Sequence, residues 1–205
     1  MNYSSKAFED AVLAFSRLPG IGERSALRLV LHLIKESPED LEKFGNTFSH
    51  LGQNVKFCKK CHNLTDDDEC SICKSPKRDD TIICVVEDLR DIMAIESTSQ
   101  LHGRYHVLGG LISPMDGVGP TDLNVETLIQ RAQSTSVNEV VIALSATMEG
   151  DTTLFYLSKK LSKCNVLITT IARGISFGGE LEYVDEVTLG RSILKRVPYD
   201  STPNN

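Results

Sequence analysis

The sequence predicts an α/β fold assembled from several modules: a helical segment, a compact metal-binding module and a domain with a parallel sheet. Four cysteines form two CxxC pairs in the first half of the 205-residue chain. Apolar residues recur at helical spacing before these cysteines, whereas apolar runs alternate with amphipathic segments after them. The cysteines therefore mark the boundary between a helical part and an α/β part.

The first region, residues 1–56, is predicted to contain helices over 6–17, 23–35 and 41–55, the last of them after a helix-start signal at 37–40. The segment LPGIG at 18–22 joins the first two helices tightly, which predicts a helix-hairpin-helix. Its glycines carry no side chain that would keep a phosphate from the backbone. The second helix would direct its N-terminus at that phosphate.

Two arginines follow the hairpin, Arg24 and Arg28, four residues apart and therefore on one helix face. They could hold neighbouring phosphates of a nucleic acid, through contacts that carry no sequence information. The alternative is a glycine turn followed by two solvated arginines.

The cysteine module, residues 57–74, holds two CxxC pairs separated by eight residues. Four thiolates in two tight pairs are the ligand set of a structural zinc ion. We predict that the zinc ligands are Cys58, Cys61, Cys70 and Cys73. A redox site of the thioredoxin kind would have a single CxxC pair beside a βαβ unit. His62 could replace one thiolate, and four free thiols are the remaining alternative.

The third region shows strand and helix patterns in alternation, which is typical of a parallel sheet. Strands are predicted over 81–86, 104–108, 139–144 and 165–171, and helices over 88–101, 122–134, 151–163 and 186–195. The two other cysteines, Cys84 and Cys164, are predicted to pack in the core.

Acidic residues stand where two of these strands end. Glu87 follows the first strand, and Glu149 and Asp151 follow the strand at 139–144. Ligand sites of open parallel sheets lie outside the carboxyl ends of the strands, so these carboxylates could hold Mg²⁺ through oxygen ligands. The alternative is that Asp151 caps the next helix while Glu87 and Glu149 are merely exposed.

Composition and charge limit the function classes. A net charge of −6, taken alone, argues against a nucleic-acid binder, although basic residues gather within residues 1–30 and near the first CxxC pair. We expect a cytoplasmic protein, because the N-terminus lacks a signal-peptide pattern and no apolar run approaches a membrane span. In that compartment, paired cysteines favour a metal over a disulfide. The chain has no Gly-Lys-Ser/Thr phosphate loop, which argues against an ATPase.

In this order, the motifs closely resemble the RecR family of bacterial recombination mediators. Four blocks carry the resemblance: LPGIGERSALRLVLHLI at 18–34, the four-cysteine finger at 58–73, ICVVEDLRDIMAIE at 83–96 with HVLGGLISPMDGVGP at 106–120, and ATMEGD at 146–151 with IARGISFGGELEYVDEVTLGR at 171–191. Together these blocks run over nearly the whole chain.

The resemblance implies a Toprim domain over 81–176 and a Walker B-like, oligomerisation segment over 177–205. It also implies a ring-shaped homo-tetramer that can encircle duplex DNA, and partnership with RecO and RecF in loading recombinase onto gapped DNA. By resemblance, Arg24 and Arg28 face DNA. Glu87 and Asp91 belong to an acidic patch that looks like a partner-docking surface.

The same acidic patch includes Glu149 and Asp151. Glu149-Gly150-Asp151 stands where Toprim topoisomerases and primases have a DxD motif, which weakens the case for catalysis and makes a Mg²⁺ ion doubtful. The leading hypothesis is a non-enzymatic DNA-repair clamp and adaptor. One alternative is a Mg²⁺-dependent nuclease that uses Glu87, Glu149 and Asp151. Another is a zinc-stabilised protein adaptor that does not contact DNA.

Overall fold

The computed structural model describes residues 3–176 and 178–198, so part of the predicted C-terminal segment, Phe177 and residues 199–205, lies outside the described residues. The chain divides into two compact units, Met1–Val55 and Lys56–Asn205. None of the helices within the described ranges is both long and apolar enough to cross a membrane.

The helices and strands occur in the predicted order, with short elements added in the cysteine module. The helices are α1 Lys6–Ser16, α2 Glu23–Leu33, α3 Pro38–Asn54, α4 Ser71–Lys74, α5 Leu89–Thr98, α6 Val125–Ala132, α7 Met148–Leu161 and α8 Glu186–Leu194. The strands are β1 Lys56–Phe57, β2 Leu64–Thr65, β3 Asp79–Val86, β4 Gly103–Val107, β5 Glu139–Ile142 and β6 Leu167–Thr170. Short 3₁₀ turns lie at Pro114–Asp116, Pro120–Asp122 and Leu181–Tyr183.

The first unit is an all-helical module with a small core. Val12 of α1 packs against Ala26 and Val30 of α2, and Phe8 and Phe15 close the edges of this cluster. The apolar stripes of both helices therefore face each other, as the helical periodicity predicts.

Helix α3 begins three residues earlier than predicted, at Pro38 instead of Leu41. The reason is local: the Ser37 hydroxyl accepts a hydrogen bond from the Asp40 amide at 3.2 Å, and Pro38 fits the first helical position. Unlike α1 and α2, α3 buries none of its residues.

The second unit contains the cysteine module and a four-stranded parallel sheet. β1 and β2 form an antiparallel pair beside the cysteines, and the sheet has the order β4-β3-β5-β6. All three strand pairs of the sheet are parallel. The predicted α/β architecture with a parallel sheet is thus confirmed.

Both faces of the sheet are covered, which explains the continuous apolar run of β3. Ile83 and Val85 point to a core shared with α6 and α7, whereas Cys84 and Val86 point to a second core that includes Ile92 of α5. Successive strand residues face opposite sides, so each face needs its own helical layer.

Helix α7 corrects the sequence prediction at the acidic segment. The predicted helix begins at Asp151, but α7 begins at Met148, with Thr147 as its cap. The Thr147 hydroxyl accepts a hydrogen bond from the Gly150 amide at 3.1 Å. The alternative that Asp151 caps this helix is therefore wrong, and Glu149 and Asp151 lie in its first turn.

Gly150 lets this first turn lie against the chain that leaves β5. A Cβ atom at this position would stand 2.0 Å from the carbonyl oxygen of Ser145, so no larger residue fits without a backbone shift. The glycine thus sets the position of Glu149 and Asp151 relative to the sheet.

We predict that Gly150→Ala lowers the free energy of unfolding of the second unit by about 1–3 kcal/mol, because the added methyl group overlaps a backbone oxygen. Thermal unfolding followed by circular dichroism measures the effect. Gly190→Ala in α8 is the matched control, since a Cβ atom there meets nothing within 4 Å and helix propensity favours alanine. Equal unfolding temperatures for Gly150→Ala and the wild type would contradict the prediction.

Candidate metal centre and nucleic-acid interface

The four predicted zinc ligands come together in the structure. Cys58 and Cys61 lie on the turn between β1 and β2, Cys70 caps α4 and Cys73 lies within it. All four side chains are buried, and their sulfur atoms lie within 4.8 Å of one another. Within residues 3–176 and 178–198, no other set of three or more His, Cys, Asp or Glu ligand atoms meets this criterion.

Backbone hydrogen bonds shape each CxxC pair into a tight turn. The amide of His62 donates to the Cys58 carbonyl at 2.9 Å, and the amide of Lys74 donates to the Cys70 carbonyl at 3.0 Å. The Cys70 amide also donates to the Cys58 sulfur at 3.3 Å. Amide donors aimed at sulfur favour thiolates over thiols.

The chemistry of the donor set fits zinc. Hydrogen bonding from Cys61 lowers the pKa of the Cys73 thiol to about 6, whereas burial raises the pKa of Cys70. Buried sulfurs at this separation therefore share protons, and a bound Zn²⁺ would replace those protons and hold all four as thiolates. Such a closed four-thiolate site stabilises the fold and leaves no open position for catalysis.

His62 stays outside the ligand set, since its Nε2 atom lies 2.8 Å from the Thr127 hydroxyl on α6. Cys84 and Cys164 also stay outside it and pack in the two cores of the sheet, as predicted.

The finger, residues 57–74, has a nearly charge-balanced surface despite its lysines. Each of three lysines forms an ion pair with an acid of the same module. These pairs are Lys59–Asp68 at 2.7 Å, Lys60–Glu69 at 2.9 Å and Lys74–Asp67 at 2.5 Å. The two lysines of the first CxxC pair therefore have acidic partners within the module, which makes them weaker candidates for phosphate binding.

The hairpin before α2 has the backbone that phosphate binding needs. Gly20 adopts φ +79°, a conformation that L side chains rarely adopt, and a Cβ atom at Gly20 or Gly22 would meet nothing within 4 Å. No side chain therefore blocks the approach of a ligand to the backbone at Gly20 and Gly22. Gly22 caps α2 without any side-chain hydrogen bond, so no capping side chain lies over the start of the helix.

Helix α2 carries a basic groove along its exposed face. The groove has a volume of about 350 Å³ and is lined by Arg24, Leu27, Arg28, Leu31, His32 and Lys35. Across the described ranges, Arg24, Arg28 and Lys35 form no ion pair with an acidic side chain, while His32 lies 3.6 Å from Glu36. The groove therefore extends the predicted arginine pair with two further basic residues.

The acids at the carboxyl edge of the sheet do not converge on one point. The carboxylate of Asp91, in the first turn of α5, accepts hydrogen bonds from the amides of Glu87 and Asp88 at 3.0 and 3.2 Å, while Asp88 is the N-cap of the helix. Burial and the neighbouring Asp91 raise the pKa of Glu87. Glu149 is exposed on the first turn of α7.

Asp151 is engaged by two arginines. Its carboxylate pairs with Arg173, which follows β6, and with Arg191 of α8 at 3.5 Å. The hydrogen bond from Arg173 lowers the pKa of Asp151. A carboxylate that is already neutralised in this way is a poor Mg²⁺ ligand.

Sequence reasoning missed Arg173, Arg191, His32 and Lys35. Arg173 could have been found, because the chain leaves β6 at the same edge as the acids. His32 and Lys35 continue the face of Arg24 and Arg28 at helical spacing. No local pattern indicates Arg191, because the contact joins residues forty positions apart.

Comparison with known families agrees with this order of modules. Residues 8–50 match the RecR helix-hairpin-helix family, 55–75 the RecR four-cysteine zinc finger domain, 81–172 the Toprim domain and 174–197 the RecR C-terminal family.

Full-length relatives agree with these matches. The recombination protein RecR of Bacteroides thetaiotaomicron is 55% identical over 200 residues, which cover 98% of each chain. That of Flavobacterium johnsoniae is 53% identical over 205 residues and covers 100% of both chains. That of Porphyromonas gingivalis is 50% identical over 98% of this chain and 97% of its own. The chain therefore belongs to the RecR family.

Proposed function

We propose that this chain is a DNA-binding mediator of recombination and DNA repair, which acts as a clamp and adaptor and not as an enzyme. The observation that carries the proposal is the basic groove of α2 beside an open glycine hairpin, in a chain whose net charge is −6. Arg24, Arg28 and Lys35 share this groove and have no acidic partner among the described residues, so together they offer an anion a local concentration of positive charge.

The groove favours the DNA backbone as that anion. Arg24 and Arg28 are exposed and share one groove with Lys35, so they can contact phosphates that follow one another along a strand. The accessible glycine backbone of the hairpin and the N-terminus of α2 add a favourable position for a further phosphate. Contacts of this kind do not read bases, and they weaken steeply as salt concentration rises.

The acidic edge of the sheet supports a docking role better than a nuclease. Asp151 pairs with Arg173 and Arg191, and Asp91 accepts the backbone amide of Asp88, the N-cap of α5. Glu87, Asp91, Glu149 and Asp151 are consequently proposed as a docking surface for RecO or RecF during loading of recombinase on gapped DNA in the cytoplasm.

Self-association into a tetrameric ring is part of the proposal. The 17-residue helix α3 buries no residue and exposes a row of large apolar side chains at helical spacing. The row consists of Leu41, Phe44, Phe48 and Leu51, exposed by 41%, 39%, 57% and 56%. A second copy of the chain would remove this surface from water, and a ring would gather the few basic grooves of an acidic chain around one DNA duplex.

The double variant Arg24→Ala/Arg28→Ala is expected to bind duplex DNA at least about tenfold more weakly, with the slope of log K against log salt reduced by about two. Fluorescence anisotropy at several salt concentrations measures both quantities. Lys59→Ala/Lys60→Ala removes the same charge from the ion-paired finger and serves as the control. Equal losses in the two double variants would show that net charge, and not the α2 groove, governs binding.

Purified protein is expected to contain about one zinc ion per chain, and Cys58→Ser is expected to lose it together with the folded finger. Metal analysis by mass spectrometry and limited proteolysis of residues 57–74 provide the two measurements. Cys164→Ala, a change at a cysteine outside the cluster, should retain the metal. A stable, metal-free wild type would contradict the structural role.

Phe48→Asp is expected to lower the solution mass by about half, because it places a charge in an apolar contact between two copies. Light scattering coupled to size-exclusion chromatography gives the mass. Phe155→Asp is the matched control, since Phe155 is an exposed phenylalanine, 61% accessible, on α7. An unchanged mass for Phe48→Asp would contradict a role of the apolar row of α3 in self-association.

A further inference from the structure

The finger is docked on the edge strand of the sheet. β4 stands at one end of the order β4-β3-β5-β6, and the amide of Val107 on this strand donates to the carbonyl of Cys61 at 2.8 Å. Ile72 of α4 packs against the core cluster that contains Cys84 and Tyr105. The zinc ligands are thus joined directly to an edge that would otherwise be open.

Two histidines add to the contact between the finger and β4. The ring of His62, the residue after Cys61, makes an edge-to-face contact with His106 of β4, with centroids 5.2 Å apart. The Nε2 atom of His106 lies 2.8 Å from the carbonyl oxygen of Asn124. Since a carbonyl only accepts, Nε2 carries the proton and Nδ1 is left as an acceptor. Burial lowers the pKa of His106 to about 3, which keeps the ring neutral.

Arg131 of α6 contacts two residues of β4, Tyr105 and His106. Its Nη1 atom donates to the carbonyl of Tyr105 at 2.7 Å and lies 3.1 Å from Nδ1 of His106. Both acceptors are neutral groups, so the charge of the guanidinium is not balanced by either of them.

The contacts of Arg131 lead to the cysteines. Its Nη1 atom touches the ring of His106, which contacts the ring of His62, the residue after Cys61. Burial lowers the pKa of Arg131, and the charges of Cys73, Cys61 and Cys58 act in the opposite direction. The guanidinium of Arg131 nevertheless remains protonated at neutral pH. A Zn²⁺ ion with four thiolates carries a net charge of −2, and a buried charge of that size is costly without a nearby cation.

We infer that Arg131 is the counter-charge of the zinc centre and a positioning residue that holds the finger on β4 through Tyr105 and His106. The residue belongs to the sheet domain, about sixty positions beyond the cysteines. Zinc retention is therefore a property of the finger and the sheet together, and not of residues 57–74 alone.

The test measures the rate at which the native protein releases zinc to an excess of a chromogenic chelator. Arg131→Gln keeps a donor for Tyr105 but removes the charge, and it is expected to release zinc about 10- to 100-fold faster than the wild type, as for other residues that support a metal's ligands. Arg131→Lys keeps the charge and is expected to stay within a few-fold of the wild type.

Arg78→Gln is the matched control. Arg78 also donates to backbone carbonyls beside β4, those of Leu101 and Gly103, and it pairs with Glu96. Its loss should lower the unfolding temperature without accelerating zinc release. The inference is overturned if Arg131→Gln releases zinc no faster than Arg78→Gln. It is also overturned if Arg131→Gln and Arg131→Lys are accelerated equally, because hydrogen-bond geometry and not charge would then explain the effect.

Discussion

The convergence of four buried sulfur atoms within 4.8 Å is the constraint on which the second unit depends. The finger has only two two-residue strands and one four-residue helix, too little apolar material to form a core of its own. Its stability must come from the metal that the thiolates bind and from its attachment to β4. The finger therefore covers the edge strand β4, and β4 in turn supports the finger.

Charged side chains in different parts of the molecule differ in whether an opposite charge lies beside them. On the finger, lysines and acids neutralise each other over short distances, and at the carboxyl edge of the sheet Asp151 is held by Arg173 and Arg191. On α2, Arg24 and Arg28 form no ion pair among the described residues. Together with Lys35, these arginines place unpaired positive charge in a single groove beside α2.

Much of the fold and of the zinc site could be predicted from the sequence, because the sequence signals are local. The CxxC spacing, the hairpin glycines and the apolar run of β3 each act within a few residues. The errors have equally local causes: Thr147 caps α7 ahead of Asp151, and Ser37 starts α3 before Leu41. The ion pair of Asp151 with Arg191 and the contacts of Arg131 depend on how distant segments pack, so no spacing rule indicates them.

The groove on α2 has a consequence for the approach to DNA. Arg24, Arg28 and Lys35 form a local cluster of positive charge in a chain with net charge −6. Near a polyanion, this cluster is attracted while the net negative charge of the chain is repelled, which favours approaches that bring α2 toward the phosphates. An acidic protein can in this way select its orientation on DNA during diffusion, ahead of any contact with a phosphate.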